Sequence, residues 1–478
     1  MKDFASRSKL SFLLFLTSLL ICVDSIPLQQ LSNSSYPTRV LESLLEEDEV
    51  LPPLFPFDWT DYLGFGVAVA GLVLAAGGGI GGGGILVPCY ILLLEFPVKH
   101  AIPLASATVL GGAVANNVLN WPKRHPLHQE RSCVDWDLIL MMEPMTMAGA
   151  LVGASLNEFL PDSVLILLLL ALLGLTAYKT LQKATKMYLK ESEAIQLKQQ
   201  QSATGESSDE ALPLKEAIAM GSEENHYNTD SAESSETTAN ESSPAATHLE
   251  VMDRQETMSA SSWAQQKILI DVSKLAILFI VTTYLNLMKG GTGEGGGLFG
   301  LKDCGTGCFW FTEISILALI VLFTVHARST ILRRLQEGRL VTSDIAWDES
   351  NTVTYSLLAI VAGLVAGMFG IGGGIVKGPL MLALGVHPAV ASATSAAMIF
   401  FTASTSTASY SVFGLLVYDY AAFCFVVGLF STFFGQIAMS QLMKKYNRNS
   451  YIAYSIGFVV GLSAIAMTIE AVIDLTSA

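Results

Sequence analysis

The apolar residues of this chain fall in blocks, not at the helical or strand periods of a soluble domain. The blocks lie at about 60–77, 84–96, 102–122, 137–158, 162–182, 267–288, 309–327, 353–370, 375–386, 389–414, 420–442 and 451–473. A helix of about 20 residues crosses roughly 30 Å of hydrocarbon, so most of these blocks predict membrane-spanning helices. Two of them, 84–96 and 375–386, rise under about 20 Å at about 1.5 Å per residue and do not cross comfortably. Each of those two follows a glycine run. The pattern predicts an all-α polytopic membrane protein.

Composition sharpens this reading. The chain has 478 residues, of which 51% are apolar and 14% charged, against about 25% charged in ordinary soluble domains. A soluble enzyme, a nucleic-acid-binding module and a disulfide-rich secreted domain are excluded. The net charge of −15 is concentrated in two polar segments. Residues 191–256 carry 15 acidic and 3 basic side chains, and residues 26–61 carry 7 and 1. The membrane body is nearly neutral, so the low isoelectric point does not imply a cationic substrate.

Residues 1–25 have the form of a secretory signal. Lys2, Arg7 and Lys9 precede an apolar run from Leu10 to Cys22, and Val23 and Ser25 are small residues placed for cleavage. An uncleaved first helix is the other reading. Residues 26–58 form a Pro-rich acidic segment with a glycosylation sequon at Asn33. Basic loops at 122–134, 183–190, 328–340 and 444–448 all fall in the cytosol if counting starts outside after the signal. Both mature termini then lie outside or in a lumen. The location is the secretory pathway, at the plasma membrane or an endomembrane.

The chain repeats itself. Gly79-Ile80-Gly81-Gly82-Gly83-Gly84-Ile85 matches Gly370-Ile371-Gly372-Gly373-Gly374-Ile375, and Pro88 and Pro379 follow. Ser106-Ala107-Thr108 matches Ser392-Ala393-Thr394, after Pro103 and Pro388. An odd number of segments separates the two starts, so the repeats are expected to be inverted in the membrane, as in many secondary transporters. The expected division is a signal at 1–25, a lumenal segment at 26–58 and repeat 1 at 59–190. A disordered acidic cytosolic linker follows at 191–262, too poor in large apolar residues to offset chain entropy. Two connecting helices with a lumenal Gly/Cys loop occupy 263–350, and repeat 2 occupies 351–474. The linker is either a plain tether or a regulatory segment.

Seven of the eight residues from Gly77 to Gly84 are glycine. Such a run breaks a helix, and broken helix at membrane depth is tolerated only where it lines a protein cavity. The short helix after each run presents free N–H groups and a positive dipole end, which attract anions. The alternative is close packing through small residues. The text also satisfies G-x-G-x-x-G, but no βαβ context exists for a dinucleotide.

Polar residues stud the third segment of each half: Ser106, Thr108, Asn116 and Asn117 in the first, Ser392, Thr394, Thr402 and Ser406 in the second. They can bond an oxyanion or link helices. Lys377, early in the second short helix, either contacts an anion or snorkels to a surface. Glu143, just before Pro144, either carries a coupling proton or caps backbone that the proline frees. Cys304 and Cys308 flank Gly-Thr-Gly in the lumenal loop, where a disulfide is allowed; a metal or redox pair is the other option, without a histidine cluster beside it. No catalytic dyad, resident metal site or cofactor motif is present.

The paired signatures Gly79 to Pro88 and Gly370 to Pro379 resemble those of the TauE/SafE sulfite-exporter family. Trp121-Pro122-Lys123-Arg124-His125-Pro126 and the stretch Gly290 to Trp310 are similar to the plant-type, eukaryotic branch. The resemblance covers about 58–190 and 266–473 and implies transport of a small sulfur-containing anion such as sulfite, thiosulfate or an organosulfonate. The expected partners are the lipid bilayer and that inorganic or organosulfur anion, with no nucleic acid. The expectation is thus a secondary anion transporter working by alternating access. A membrane scaffold or receptor recruiting partners through the acidic linker is the rival.

Overall fold

The computed structural model describes residues 59–76, 81–126, 131–203, 269–289, 305–337, 345, 347–446 and part of 454–468. Among these residues there is no strand, only one isolated bridge between Arg124 and Ser132. The helices are α1 (Trp59–Ala76), α2 (Gly83–Leu92), α3 (Val98–Asn120), α4 (Trp136–Phe159) and α5 (Asp162–Ala203). Then come α6 (Leu269–Met288), α7 (Gly305–Gln336), α8 (Glu349–Phe369), α9 (Gly374–Ala383), α10 (Pro388–Val412) and α11 (Tyr418–Tyr446). Among the described residues eight helices are long and apolar enough to cross a membrane. The chain is an all-α polytopic membrane protein. The signal, Asn33, Gly79, Cys304 and most of the acidic linker lie outside the described residues. The backbone of Cys308 is in α7, but its side chain is not described. The linker was expected to begin at 191, yet α5 stays helical to Ala203. Beyond residue 190 it carries Glu191, Glu193, Gln196, Lys198 and Gln199 to Gln201, unbranched residues that lose little entropy in a helix.

α3, α4 and α10 form the centre. Their apolar windows are 78%, 89% and 89% buried, against 22%, 33% and 28% for α5, α6 and α7. The outer helices turn leucine, isoleucine and phenylalanine outward, as at Leu167, Phe311 and Leu322. That face suits acyl chains, since lipid tails are as apolar as leucine.

Glycine sets the closest contacts. A Cβ on Gly149, Gly153, Gly363 or Gly367 would overlap backbone of the opposite helix, so α4 and α8 meet along two facing small-xxx-small stripes. Gly111 on α3 and Gly428 on α11 approach each other's helix the same way. The first helix of each half therefore packs on the fourth helix of the other: α8 on α4, and α1 on α11.

α3 and α10 cross between the halves. Ser106 Oγ and Thr407 Oγ1 are 3.1 Å apart, and Asn117 Nδ2 donates to the Ala396 carbonyl at 3.3 Å. Ser106 and Ala396 are each ninth in their helix, and Asn117 and Thr407 each twentieth. The two helices thus run antiparallel with matched ends. Counted this way, the Ser-Ala-Thr triplets do not correspond. Pro388 opens α10, where its missing N–H costs nothing. Pro103 sits inside α3, so the triplets are about one turn apart.

The α6–α7 pair is tied to the centre at both ends. Arg334 bridges Asp137 at 2.9 Å and Asp271 at 2.8 Å. At the other end, Lys289 meets Glu313 at 2.6 Å, with its ammonium over the Phe309 and Phe413 rings.

Candidate functional site

The two half-length helices are built alike. α2 and α9 are each ten residues long with a proline at the sixth position, Pro88 and Pro379. Each is entered through two left-handed glycines: Gly81 and Gly82 at φ +80° and +73°, Gly372 and Gly373 at +67° and +72°. Gly370, at +65°, ends α8. Residues with a Cβ rarely hold this conformation, so the glycines here are a backbone requirement. No side chain caps α2 at Gly82. The helix therefore opens with its positive end uncompensated by a carboxylate or hydroxyl.

The turns meet in the protein interior. A Cβ on Gly83 would overlap the backbone of Ile371, and one on Gly84 would press on Ile375 Cδ1 at 2.8 Å. Gly81 and Gly372 both face Val109 of α3 and Ile399 of α10. Gly81 to Gly84 and Gly370 to Gly374 are all buried. The structure thus brings the two glycine sets together at the α3–α10 crossing. It also shows two duties among them: Gly83 is a close-packing position, while Gly81, Gly82, Gly372 and Gly373 are conformational ones.

Lys377 is fully buried. Its Nζ donates to Glu143 Oε2 at 3.1 Å and to Thr402 Oγ1 at 2.6 Å. The Thr402 hydroxyl has one proton and two acceptors in reach, Glu143 Oε1 at 2.8 Å and the Met398 carbonyl at 3.0 Å. The side chain leaves α9 beside its own entry turn: a Cβ on Gly373 would sit 3.2 Å from Lys377 Cε. A cation in a first helical turn opposes the helix dipole. The Glu143 carboxylate from α4 offsets that here, and its oxygens are committed to Lys377 and Thr402 rather than to the backbone around Pro144. Both acid and amine have zero side-chain exposure, so the pair is a closed unit in the bundle.

The other polar positions divide. Ser106 and Asn117 join α3 to α10. Next to that contact, Asn116 Oδ1 and Ser395 Oγ are buried with no hydrogen-bond partner among the described residues. Ser406 bonds back to the Thr402 carbonyl at 3.0 Å. Thr108 is occupied by Tyr90, whose hydroxyl lies 2.7 Å away. Thr394 accepts from the Asp135 amide at 3.0 Å and tethers the start of α4. Ser392 is half-buried near the start of α10. The Lys289–Glu313 pair had no place in the sequence reading, although Lys289 directly follows a span and Glu313 lies just inside one. Among the described residues no cluster of His, Cys, Asp and Glu could hold a metal.

A polytopic helical bundle with two broken helices, a buried ion pair and, among the described residues, no metal cluster has the build of a membrane transporter. The comparisons agree. The family model described as Sulfite exporter TauE/SafE matches residues 63–221 and 307–471, and the chain belongs to that family. It resembles "Sulfite exporter TauE/SafE family protein 3" of Arabidopsis thaliana at 27% identity over 445 residues, 91% of this chain and 84% of the relative. It resembles "Sulfite exporter TauE/SafE family protein 5" of the same plant at 26% over 411 residues, 84% and 81% of the two chains. A shorter likeness, 26% over 116 residues, links it to "Probable membrane transporter protein YunE" of Bacillus subtilis, covering 24% and 40%. No solved structure matches the chain. The protein is an integral membrane transporter, not an enzyme.

Proposed function

We propose that this transporter carries a small sulfur-containing oxyanion, such as sulfite, thiosulfate or an organosulfonate, by alternating access. The anion is held where the α2 and α9 entry turns converge. The observation that carries this reading is the meeting of two uncharged, left-handed glycine turns at α3 and α10, with Lys377 in the first turn of one of them. Helix N-termini aimed at a buried point are an anion site that needs no fixed counter-charge. The Ser395 hydroxyl, buried without a partner among the described residues, can donate to an oxyanion. The names of the plant relatives point to sulfite. The antiparallel run of α3 and α10 supports halves inverted in the membrane, and the basic loops favour a cytosolic acidic linker.

Purified protein in liposomes, given a panel of labelled sulfite, thiosulfate, sulfate, isethionate and chloride, tests the reading. Saturable flux of at least one sulfur anion, inhibited by the others and not by chloride, is expected. Flux no greater than in protein-free liposomes for every sulfur anion overturns it.

A further inference from the structure

The buried ion pair poses a problem that the anion reading leaves open. A lysine engaged by a carboxylate offers little charge to an anion, and an anion placed beside both would meet Glu143 as a like charge. We propose that Glu143 is the proton site of the transporter, so that its carboxylate and the anion compete for Lys377, and the anion and a proton travel together. This rests on the anion reading above and adds the coupling ion to it.

The groups around Glu143 make the exchange self-contained. From α9 comes Lys377, and from α10 the Thr402 hydroxyl. α10 has no charged residue, and its Tyr410 hydroxyl is bonded to the Gly367 carbonyl. α8 bears one charged residue, Glu349, in its first turn, and one tyrosine, Tyr355. α7 carries Arg334, held by Asp137 and Asp271; Arg328, held by Thr352 and the Glu349 carbonyl; and Arg333 and His326, which are exposed. Its Glu313 is bound to Lys289. Lys377 is therefore the one charged group bonded to Glu143 among the described residues.

The exchange balances simply. With Glu143 ionised, Lys377 is neutralised internally and the site is closed. A proton from the aqueous compartment the site faces adds to a Glu143 carboxylate oxygen. The acid O–H then bonds within the pocket, and the Lys377 ammonium is left without a counter-charge, beside the α9 entry turn. One anion takes that place. After reorientation the anion leaves, the proton returns to water on the other side, and the pair closes again. For a monovalent anion, a site empty of both or filled by both is electrically satisfied, whereas one holding only one is not; a divalent anion such as thiosulfate leaves one further negative charge to the N–H groups of the entry turns. That restriction is what couples two fluxes.

The test uses thiosulfate and isethionate, which carry no titrating proton near neutral pH, so any proton signal belongs to the protein. Liposomes holding the full chain and a trapped pH dye are given an inward gradient of each anion. The expected result is acidification of the lumen in step with uptake, and uptake accelerated by an inward proton gradient. Glu143→Gln keeps an acceptor for Lys377 and Thr402. It should exchange labelled anion at a rate independent of pH, with the lumenal acidification lost. Binding in detergent gives a second readout: wild-type protein should take up protons when thiosulfate binds, and Glu143→Gln should not. Uptake by the wild type without proton movement overturns the coupling and leaves the anion reading standing, as does undiminished acidification by Glu143→Gln. Absence of flux for both probes removes the anion reading and the coupling together.

Discussion

The two halves of the membrane body share a ten-residue helix entered through left-handed glycines and differ in chemistry at one level. At the fourth position of α9 stands Lys377; at the fourth position of α2 stands Leu86. At the fifteenth position of α10 stands Thr402, matched on α3 by Gly112. At the eighth position of α4 stands Glu143, matched on α11 by Phe425. The polar trio on one side is thus leucine, glycine and phenylalanine on the other. Both sides keep the left-handed entry glycines and the small-residue contacts. The difference teaches that the duplicated part is the scaffold, and that fixed charge is supplied once. A single carboxylate suits the one proton per cycle proposed above; a second buried ion pair would add another desolvation cost.

The shared scaffold should be equally fragile in both halves. Gly363→Leu on α8 and Gly428→Leu on α11 each drive a side chain into opposing backbone. Each should cost on the order of 3 kcal/mol or more, read as loss of monodisperse protein in size-exclusion chromatography. Survival of either variant would show that the close approach is not needed on that side.

The charged level should separate the halves. Lys377→Met leaves Glu143 buried and unpaired, at a cost of about 3–5 kcal/mol, whereas Leu86→Met should cost under about 1.5 kcal/mol. Adding Glu143→Leu to Lys377→Met should recover most of the lost thermal stability, because the stranded charge is gone. Equal losses from the two single variants would remove the asymmetry.

Thr402→Val keeps the ion pair but removes its third member, and should cost about 1.5–3 kcal/mol in detergent melting. The smallest effect belongs to Gly66→Val on α1, where an added Cβ meets nothing within 4 Å. It should stay within about 0.5 kcal/mol of wild type.

The block pattern of the sequence located the helices well, because a membrane span needs an unbroken apolar run and the chain supplies little else. The glycine runs stood out for the same reason: left-handed turns at Gly82 and Gly373 admit almost no other residue. The partnership of Lys377 with Glu143 was not legible. The two residues were singled out separately, and a contact 234 positions apart leaves no mark in local pattern. The stripes Gly149-xxx-Gly153 and Gly363-xxx-Gly367 carried a readable small-xxx-small signal, overshadowed by the longer runs. Thr108 and Thr394 looked like equivalent site residues because their local text matched; their helices start at different points, so one meets Tyr90 and the other Asp135.

The account stands on an anion held by the α9 entry turn and its lysine. The most direct measurement is thiosulfate affinity, by calorimetry in lipid nanodiscs, for wild type and for the double variant Lys377→Gln/Glu143→Gln. The double variant keeps hydrogen-bonding groups at both positions and strands no charge, so it should fold. The account predicts affinity at least about tenfold weaker, the loss of one charge-assisted contact of about 1.4 kcal/mol or more. An unchanged dissociation constant in folded protein would contradict it and place the anion away from Lys377.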